Sequence, residues 1–260
     1  MRLTVLGSSG GFPGPDNPCS GFYLEHGETR LWIDAGNGTF ANLQRLVDYT
    51  SVTALVLSHV HADHCADIYT LYVAIRFAVG GGFRLPLYCP PGTRETLAPQ
   101  LLEGGWEELG KAFEFNEIDE GKNVRIGDAS LSFLRTDHPA YTLAMRIETD
   151  AGILTYSADT GPKADLAGFA RGSDLLLCEA TYQEGKAGGP VHLSARQAGE
   201  TAAQAGVREL VLTHVWPPLD PEVSLREARE VAGDLPVRWA RPGEAFAIGE
   251  GDLKKRIGAL

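Results

Sequence analysis

The chain has 260 residues, 43% hydrophobic and 22% charged, a composition that excludes collagen-like and disordered readings and allows a sizeable core. Lys and Arg number 23 against 34 Asp and Glu, and the formal net charge of −11 excludes a basic protein that coats nucleic acid. Four scattered cysteines (Cys19, Cys65, Cys89, Cys178) form no C-x-x-C pair, the opening residues turn polar and Gly-rich too soon for a signal peptide, and no uncharged apolar run reaches about 18 residues. A cytoplasmic protein off the membrane is expected. Short Val-, Ile-, Leu- and aromatic-rich runs bounded by Gly, Pro, Asn and Asp alternate with helical patterns. Strands are expected over 3–6, 21–25 and 30–33, the last two joined by His26-Gly27-Glu28, then a helix over 38–48. A strand over 54–57 runs through a polar turn into an apolar helix over 66–79, stopped by Gly80-Gly81-Gly82.

Residues 85–121 mix one short strand with helical turns, started by Pro90-Pro91 and ended near Gly104-Gly105, and read as decoration on the first half. Further strands are expected over 123–126, 131–135, 142–148, 152–156 and 174–178, with antiparallel pairing favoured between consecutive ones. Ser194-Ala195-Arg196-Gln197 fits the S-x-x-Q capping box and starts a helix ending at Gly206, before a strand over 209–212, a last helix and two short strands. Two strand-rich halves, each ending in helices with no Pro/Ser linker between them, imply an α/β chain. The expectation is a single domain over 1–260, an αββα sandwich of two mixed β-sheets flanked by helices.

Three of the seven histidines lie in His59-Val60-His61-Ala62-Asp63-His64. Such an H-x-H-x-D-H arises by chance in about 3 of 10,000 chains of this composition, so it calls for a cause. Imidazole nitrogens and carboxylate oxygens suit zinc and similar divalent ions, and a turn after a buried strand can converge four of them. His59 and His61 can share one ion, while Asp63 and His64, where the helix begins, point elsewhere and can serve a second. His138, Asp159 and His214 each follow an expected strand, where a sheet delivers them to one rim.

This order of motifs resembles the metallo-β-lactamase-fold hydrolases. The resemblance spans nearly the whole chain and implies one metal on His59, His61 and His138, another on Asp63, His64 and His214, and Asp159 bridging them. It also implies that the Asp34 of Ile33-Asp34-Ala35-Gly36 supports these ligands from behind. Asp137-His138-Pro139-Ala140-Tyr141 leads straight into an apolar strand, which is similar to the phosphodiesterase branch that includes tRNA 3′-processing ribonuclease Z. Glu179 in Cys178-Glu179-Ala180-Thr181 and His192 in His192-Leu193-Ser194 match that branch too, where such a His contacts the scissile phosphate and such a Glu orients it. The long tRNA-binding arm of ribonuclease Z is missing, since His138 and Asp159 stand only 21 positions apart, 159 minus 138. Segments such as Leu57-Ser-His-Val-His-Ala-Asp-His-Cys65 and Ala158-Asp-Thr-Gly161 are similar to the bacterial atypical class II 3′,5′-cyclic-nucleotide phosphodiesterases. Asp67 departs from the wider pattern, which has Gly there, and leaves the local turn open.

The expected activity is hydrolysis of a small phosphodiester such as 3′,5′-cyclic AMP by a metal-bridging hydroxide. Asp63, His192 and Glu179 are the expected catalytic side chains, and the expected cofactors are two divalent ions, zinc first, with manganese and iron also acceptable to these ligands. No long nucleic acid and no membrane is expected as a partner. The apolar face of the helix after His64 reads first as core and only second as a homodimer contact. Competing readings are a tRNA 3′-endonuclease, a lactonase or thioesterase, and a metal-binding carrier without catalysis. Cys65 reads as buried packing, Gly7-Ser8-Ser9-Gly10-Gly11 as a loop lining the site, and His26 as an exposed turn residue.

Overall fold

The computed structural model describes residues 1–79, 82–101, 104–185 and 191–249. Among them the chain forms two sheets of seven strands each. In the first, β1 (Arg2–Gly7), β2 (Gly21–His26) and β3 (Thr29–Ile33) pair antiparallel, and β4 (Ala54–Val56), β5 (Leu85–Cys89) and β6 (Phe113–Glu117) continue in parallel. The second starts with antiparallel β7 (Asn123–Ile126), β8 (Ala129–Arg135), β9 (Leu143–Thr149) and β10 (Gly152–Tyr156). Parallel β11 (Leu175–Glu179), β12 (Leu210–Thr213) and β13 (Val237–Trp239) complete it, and β14 (Ala245–Ala247) returns to pair antiparallel with β1.

The period of two along each strand makes this a four-layer sandwich. On β3, Leu31 and Ile33 face the second sheet and meet the layer of Phe133, Met145, Ile147, Tyr156 and Leu177, while Trp32 points outward under helices. That outer layer holds α1 (Thr39–Gln44), α2 (Ala62–Cys65), α3 (Asp67–Val73), α4 (Thr93–Leu97) and α5 (Gly105–Ala112). On the other side, Leu176 and Cys178 of β11 face α6 (Leu166–Phe169), α7 (Ala195–Ala205) and α8 (Pro221–Ala232). With both faces covered, β11 is buried throughout, as its unbroken Leu-Leu-Leu-Cys sequence requires. No helix among the described residues is long and apolar enough to cross a membrane.

The two mixed sheets flanked by helices match the expected α/β sandwich, with three local differences. Residues 85–121 are not decoration, because β5 and β6 extend the first sheet, and Gly104 starts α5 rather than ending a helix. Helix starts a turn before the expected 66–79, with α2 at Ala62, and is interrupted at Ala66 between α2 and α3, where Ala35, just beyond β3, donates its N–H to His64 O (2.7 Å) and accepts from Asp67 N (2.9 Å). It then loosens into a π-helical turn at Ala74–Val79. Finally, β10 and β11 are parallel, with α6 in the crossover between them. The capping box formed as read: Ser194 Oγ accepts from Gln197 N (3.2 Å) and Gln197 Oε1 accepts from Ser194 N (2.8 Å).

Candidate metal centre

The carboxyl ends of β1, β3, β4, β8, β10, β11 and β12 release the chain at one rim, the usual position for a site in sheets of this kind. Beyond β4 the loop is pinned to the neighbouring strand end. Asp34 accepts from Ser58 N (2.7 Å) through one carboxylate oxygen and from Ser58 Oγ (2.8 Å) through the other. His61 then takes the extended N-cap position of α2, so His59 and His61 project before the helix while Asp63 and His64 sit on its first turn. Asp34 (φ 55°), Ala158 (φ 50°) and His214 (φ 56°) are the non-glycine residues with left-handed backbones among those described. All three lie at or beside this rim, where strain of this kind is held by the surrounding structure.

Two corners share one carboxylate. In the first, His61 Nδ1 lies 3.1 Å from His59 Nε2 and 3.2 Å from His138 Nε2, and Asp159 Oδ2 faces those two nitrogens at 3.6 and 3.9 Å. In the second, Asp159 Oδ1 lies 3.2 Å from His64 Nε2 and 3.4 Å from His214 Nε2, and Asp63 Oδ2 lies 3.6 and 3.1 Å from the same pair. Four ligands held tetrahedrally at about 2.0–2.1 Å from zinc stand about 3.3 Å apart, so both corners have the spacing of an ion's coordination sphere. Although His64 Nε2 and Asp159 Oδ1 are close, both are buried and neither has a hydrogen-bond partner. Orphaned buried polar atoms are costly, and a cation between them removes the cost.

The outer nitrogen of four histidines is tied to an acceptor, which turns a lone pair inward. His59 Nδ1 donates to Ser58 Oγ (3.0 Å), whose own proton goes to Asp34, and His138 Nδ1 donates to Val191 O (3.1 Å). His64 Nδ1 donates to Asp34 Oδ2 (2.8 Å), and His214 Nδ1 to Thr181 Oγ1 (2.8 Å), whose proton goes to Glu179 Oε2 (2.6 Å). Burial pushes His59 and His138 below the ordinary imidazole range, despite Asp159. Burial acts the same way on His64 and His214, but Asp159 and Asp63 outweigh it and hold both above that range. Burial works against the charge on Asp63 and Asp159, yet the neighbouring histidines keep both carboxyls well below theirs. His and Asp side chains are therefore positioned for metal binding.

His192 completes the rim. Its Nδ1 lies 3.0 Å from Glu179 Oε1, and its ring stands 5.0 Å from that of His138 and 5.4 Å from that of His214, above both corners. Glu179 is fully buried and also accepts from Thr160 N (2.6 Å). The Gly-rich loop after β1 lines the site: Gly11 N donates to Asp63 Oδ2 (2.8 Å), and a side chain on Gly10 would strike the His214 backbone. Cys65 is buried with its thiol against Val60 O (3.4 Å), and burial pushes its pKa to about 12, so it packs as expected. Asp67 faces away from the centre and binds Gly38 N (3.1 Å) and Phe40 N (2.7 Å) at the start of α1. His26 is less free than expected, lying 2.6 Å from Asp150. Three participants were missed in the sequence: Tyr156, whose hydroxyl donates to Asp34 Oδ2 (2.8 Å), Thr181, and the N–H of Gly11. Thr181 lies in the Cys178–Thr181 segment beside Glu179, but nothing local marks its role.

Comparison with known proteins agrees with this geometry. The family model described as "Beta-lactamase superfamily domain" matches residues 29–215. The chain belongs to the β-lactamase superfamily. Within it, the chain is 39% identical over 255 residues to the uncharacterized protein Rv1339 of Mycobacterium tuberculosis, covering 95% of this chain and 92% of that protein. It is 31% identical over 249 residues to YhfI of Bacillus subtilis, described as a probable metallo-hydrolase, covering 94% and 98%. The crystal structure of YhfI aligns with a TM-score of 0.85 at 28% identity, covering 94% of this chain and 98% of that one. Ribonuclease Z of Methanopyrus kandleri is 29% identical over 269 residues, covering 89% and 92%. The superfamily fold and the positioned His and Asp side chains make this a metallo-hydrolase scaffold.

Proposed function

We propose that the protein is a dinuclear metal-dependent phosphodiesterase that opens a small 3′,5′-cyclic nucleotide, such as cyclic AMP, to its 5′-monophosphate. The observation that carries this reading is the His192–Glu179 pair standing over both corners at once. His59, His61 and His138 would hold one ion, and Asp63, His64 and His214 the other, with Asp159 between them. Bound there, divalent ions supply an acidified water and a Lewis acid for a phosphate oxygen.

The chain's own residues do the rest. Glu179 orients the His192 ring through Nδ1, which leaves Nε2 facing the centre, where a proton carried there would pass to the departing ribose 3′ oxygen. Gly11 holds the Asp63 carboxylate in place, and Asp34 does the same for His64. A hydrolase of carboxylic esters has less need of such an acid next to both corners.

A second reading, tRNA 3′-processing, is supported by the ribonuclease Z relative. Against it stand the charge of −11 and the short interval from His138 to Asp159, which a plain β9–β10 hairpin fills. Metal analysis of the purified protein, then turnover of 3′,5′-cyclic, 2′,3′-cyclic and linear diesters and a precursor tRNA, tests both, with His61→Ala as control. Preference for the 3′,5′-cyclic substrate is expected. Cleavage of the tRNA alone, or of esters alone, would overturn the proposal.

A further inference from the structure

We infer that Trp216 is the platform on which the base of the substrate stacks, so that the site selects a flat aromatic base as well as a phosphodiester. The inference rests on the phosphodiesterase reading and deepens it.

Trp216 is delivered to the rim by the same strand end that delivers His214. After β12 the chain pairs with the Gly-rich loop through a Ser9–Val215 bridge, with Gly10 N donating to Val215 O (3.2 Å). Trp216 therefore emerges beside Gly11, whose N–H holds Asp63. A Cβ on Gly11 would lie 3.3 Å from Trp216 Nε1, so the indole edge rests on the loop that lines the centre. On its other side a ladder of rings leads back inward. Tyr182 stands edge-to-face with Trp216 at 5.8 Å and with His192 at 5.7 Å. Tyr182 is 7% exposed and serves as the wedge, whereas Trp216 is 42% exposed and keeps open surface toward solvent.

Exposed aromatics alone say little, and the contrast with Tyr141 gives this one meaning. Tyr141, three residues after His138, is equally exposed, but its hydroxyl is bound to Asp119 and Arg135 covers its ring at 4.4 Å. Among the described residues, the indole N–H of Trp216 makes no hydrogen bond and no cation covers its ring. An open indole two ring steps from His192 suits the far end of a nucleotide whose phosphate is held at the centre. Base–aromatic stacking tolerates any base, because every base has a π-face. This predicts selection for a base without sharp selection among bases.

The test compares cyclic AMP with a base-free methyl riboside 3,5-cyclic phosphate. Trp216→Ala should raise KM for cyclic AMP about 5- to 100-fold, the range of stacking losses, with kcat within about twofold. It should leave KM for the base-free diester unchanged. Trp216→Phe, which retains a ring, should recover most of the loss, and Trp106→Ala, equally exposed on α5, should alter neither substrate. Equal loss on both substrates, or none on cyclic AMP, overturns the inference. A binding measurement separates its failure from that of the phosphodiesterase reading. The fluorescence of Trp216, taken as wild type minus Trp216→Phe, should be quenched by adenosine 5′-monophosphate. Turnover failing while this quench is present overturns only the reaction, and an unquenched difference signal overturns the platform.

Discussion

The two corners that meet at Asp159 are built on opposite electrostatic rules. The first brings together three imidazoles with no carboxylate except the shared one. Because His59 and His138 spend their outer N–H groups on Ser58 and Val191, only His61 can place a proton among the three inner nitrogens. The second corner flanks its imidazoles with Asp63 and Asp159 and backs His64 with Asp34, so carboxylate charge surrounds it. One corner therefore offers an ion mainly imidazole lone pairs, while the other offers carboxylate charge as well. The difference teaches that a similar set of ligands can be prepared for a cation either by gathering imidazole lone pairs or by gathering negative charge.

The largest effect should come from the residue both corners need. Asp159→Ala is expected to take metal content from about two ions per chain to near zero and turnover to background, by elemental analysis and cyclic AMP assay. His61→Ala should empty only the first corner, leaving about one ion bound and no turnover. Loss of both ions in His61→Ala would break the contrast, because the corners would then not fill separately. Next in size is His192→Ala, which should keep its metal and lose about 10²- to 10⁴-fold in kcat on cyclic AMP, the usual worth of a general acid. The loss should shrink for a p-nitrophenyl diester, whose leaving group hardly needs a proton. A loss independent of the leaving group would remove His192 from that role.

A smaller and more selective effect is expected at Thr181. Its hydroxyl passes the hold of Glu179 to His214, so one buried carboxylate orients both His192 and a side chain of the second corner. Thr181→Val should weaken metal binding at the second corner about 10- to 100-fold and spare the first, as loss of an outer hydrogen bond does elsewhere. Thr181→Ser should restore it. Equal weakening at both corners in a chelator competition would mean that Thr181 supports the whole rim instead.

These parts were not equally legible in the sequence. The cluster His59–His64 was plain because four ligand-type residues crowd into six positions, and His138, Asp159 and His214 were readable because each follows an apolar strand. Asp34 came from the family motif. Tyr156 and Thr181 were not readable, since each acts through one hydroxyl whose acceptor or donor lies 122 or 33 residues away. In the fold, β6 was missed because Phe-Glu-Phe-Asn-Glu follows α5 without a break and carries no β-branched residue. The parallel step from β10 to β11 was missed because α6 has only four residues, too few to leave a period.

Asp34 and Asp67 sharpen the comparison at its edge, because both are buried carboxylates packed around the second corner and they face opposite ways. Asp34 gives its acceptors to His64, Ser58 and Tyr156, whereas Asp67 gives its own to α1. The N-cap of α1 is Gly38, which has no side chain to accept from the first turn, so Asp67 supplies the missing cap from the start of α3. Asp67→Ala should therefore cost about 0.5–2 kcal/mol in urea denaturation, the usual worth of a cap, with metal affinity unchanged at both corners. Burial raises the Asp67 carboxyl above its ordinary value, more than the hydrogen bonds from Phe40 and Gly38 lower it. The folded chain then binds this proton more tightly than the unfolded one, so the contribution of Asp67 declines as pH rises through the raised pKa. Asp67→Asn, which keeps an acceptor and never ionises, should cost less than Ala at neutral pH and flatten that decline. A change in metal affinity on either substitution would place Asp67 with Asp34 in support of the centre, against the direction its carboxylate faces.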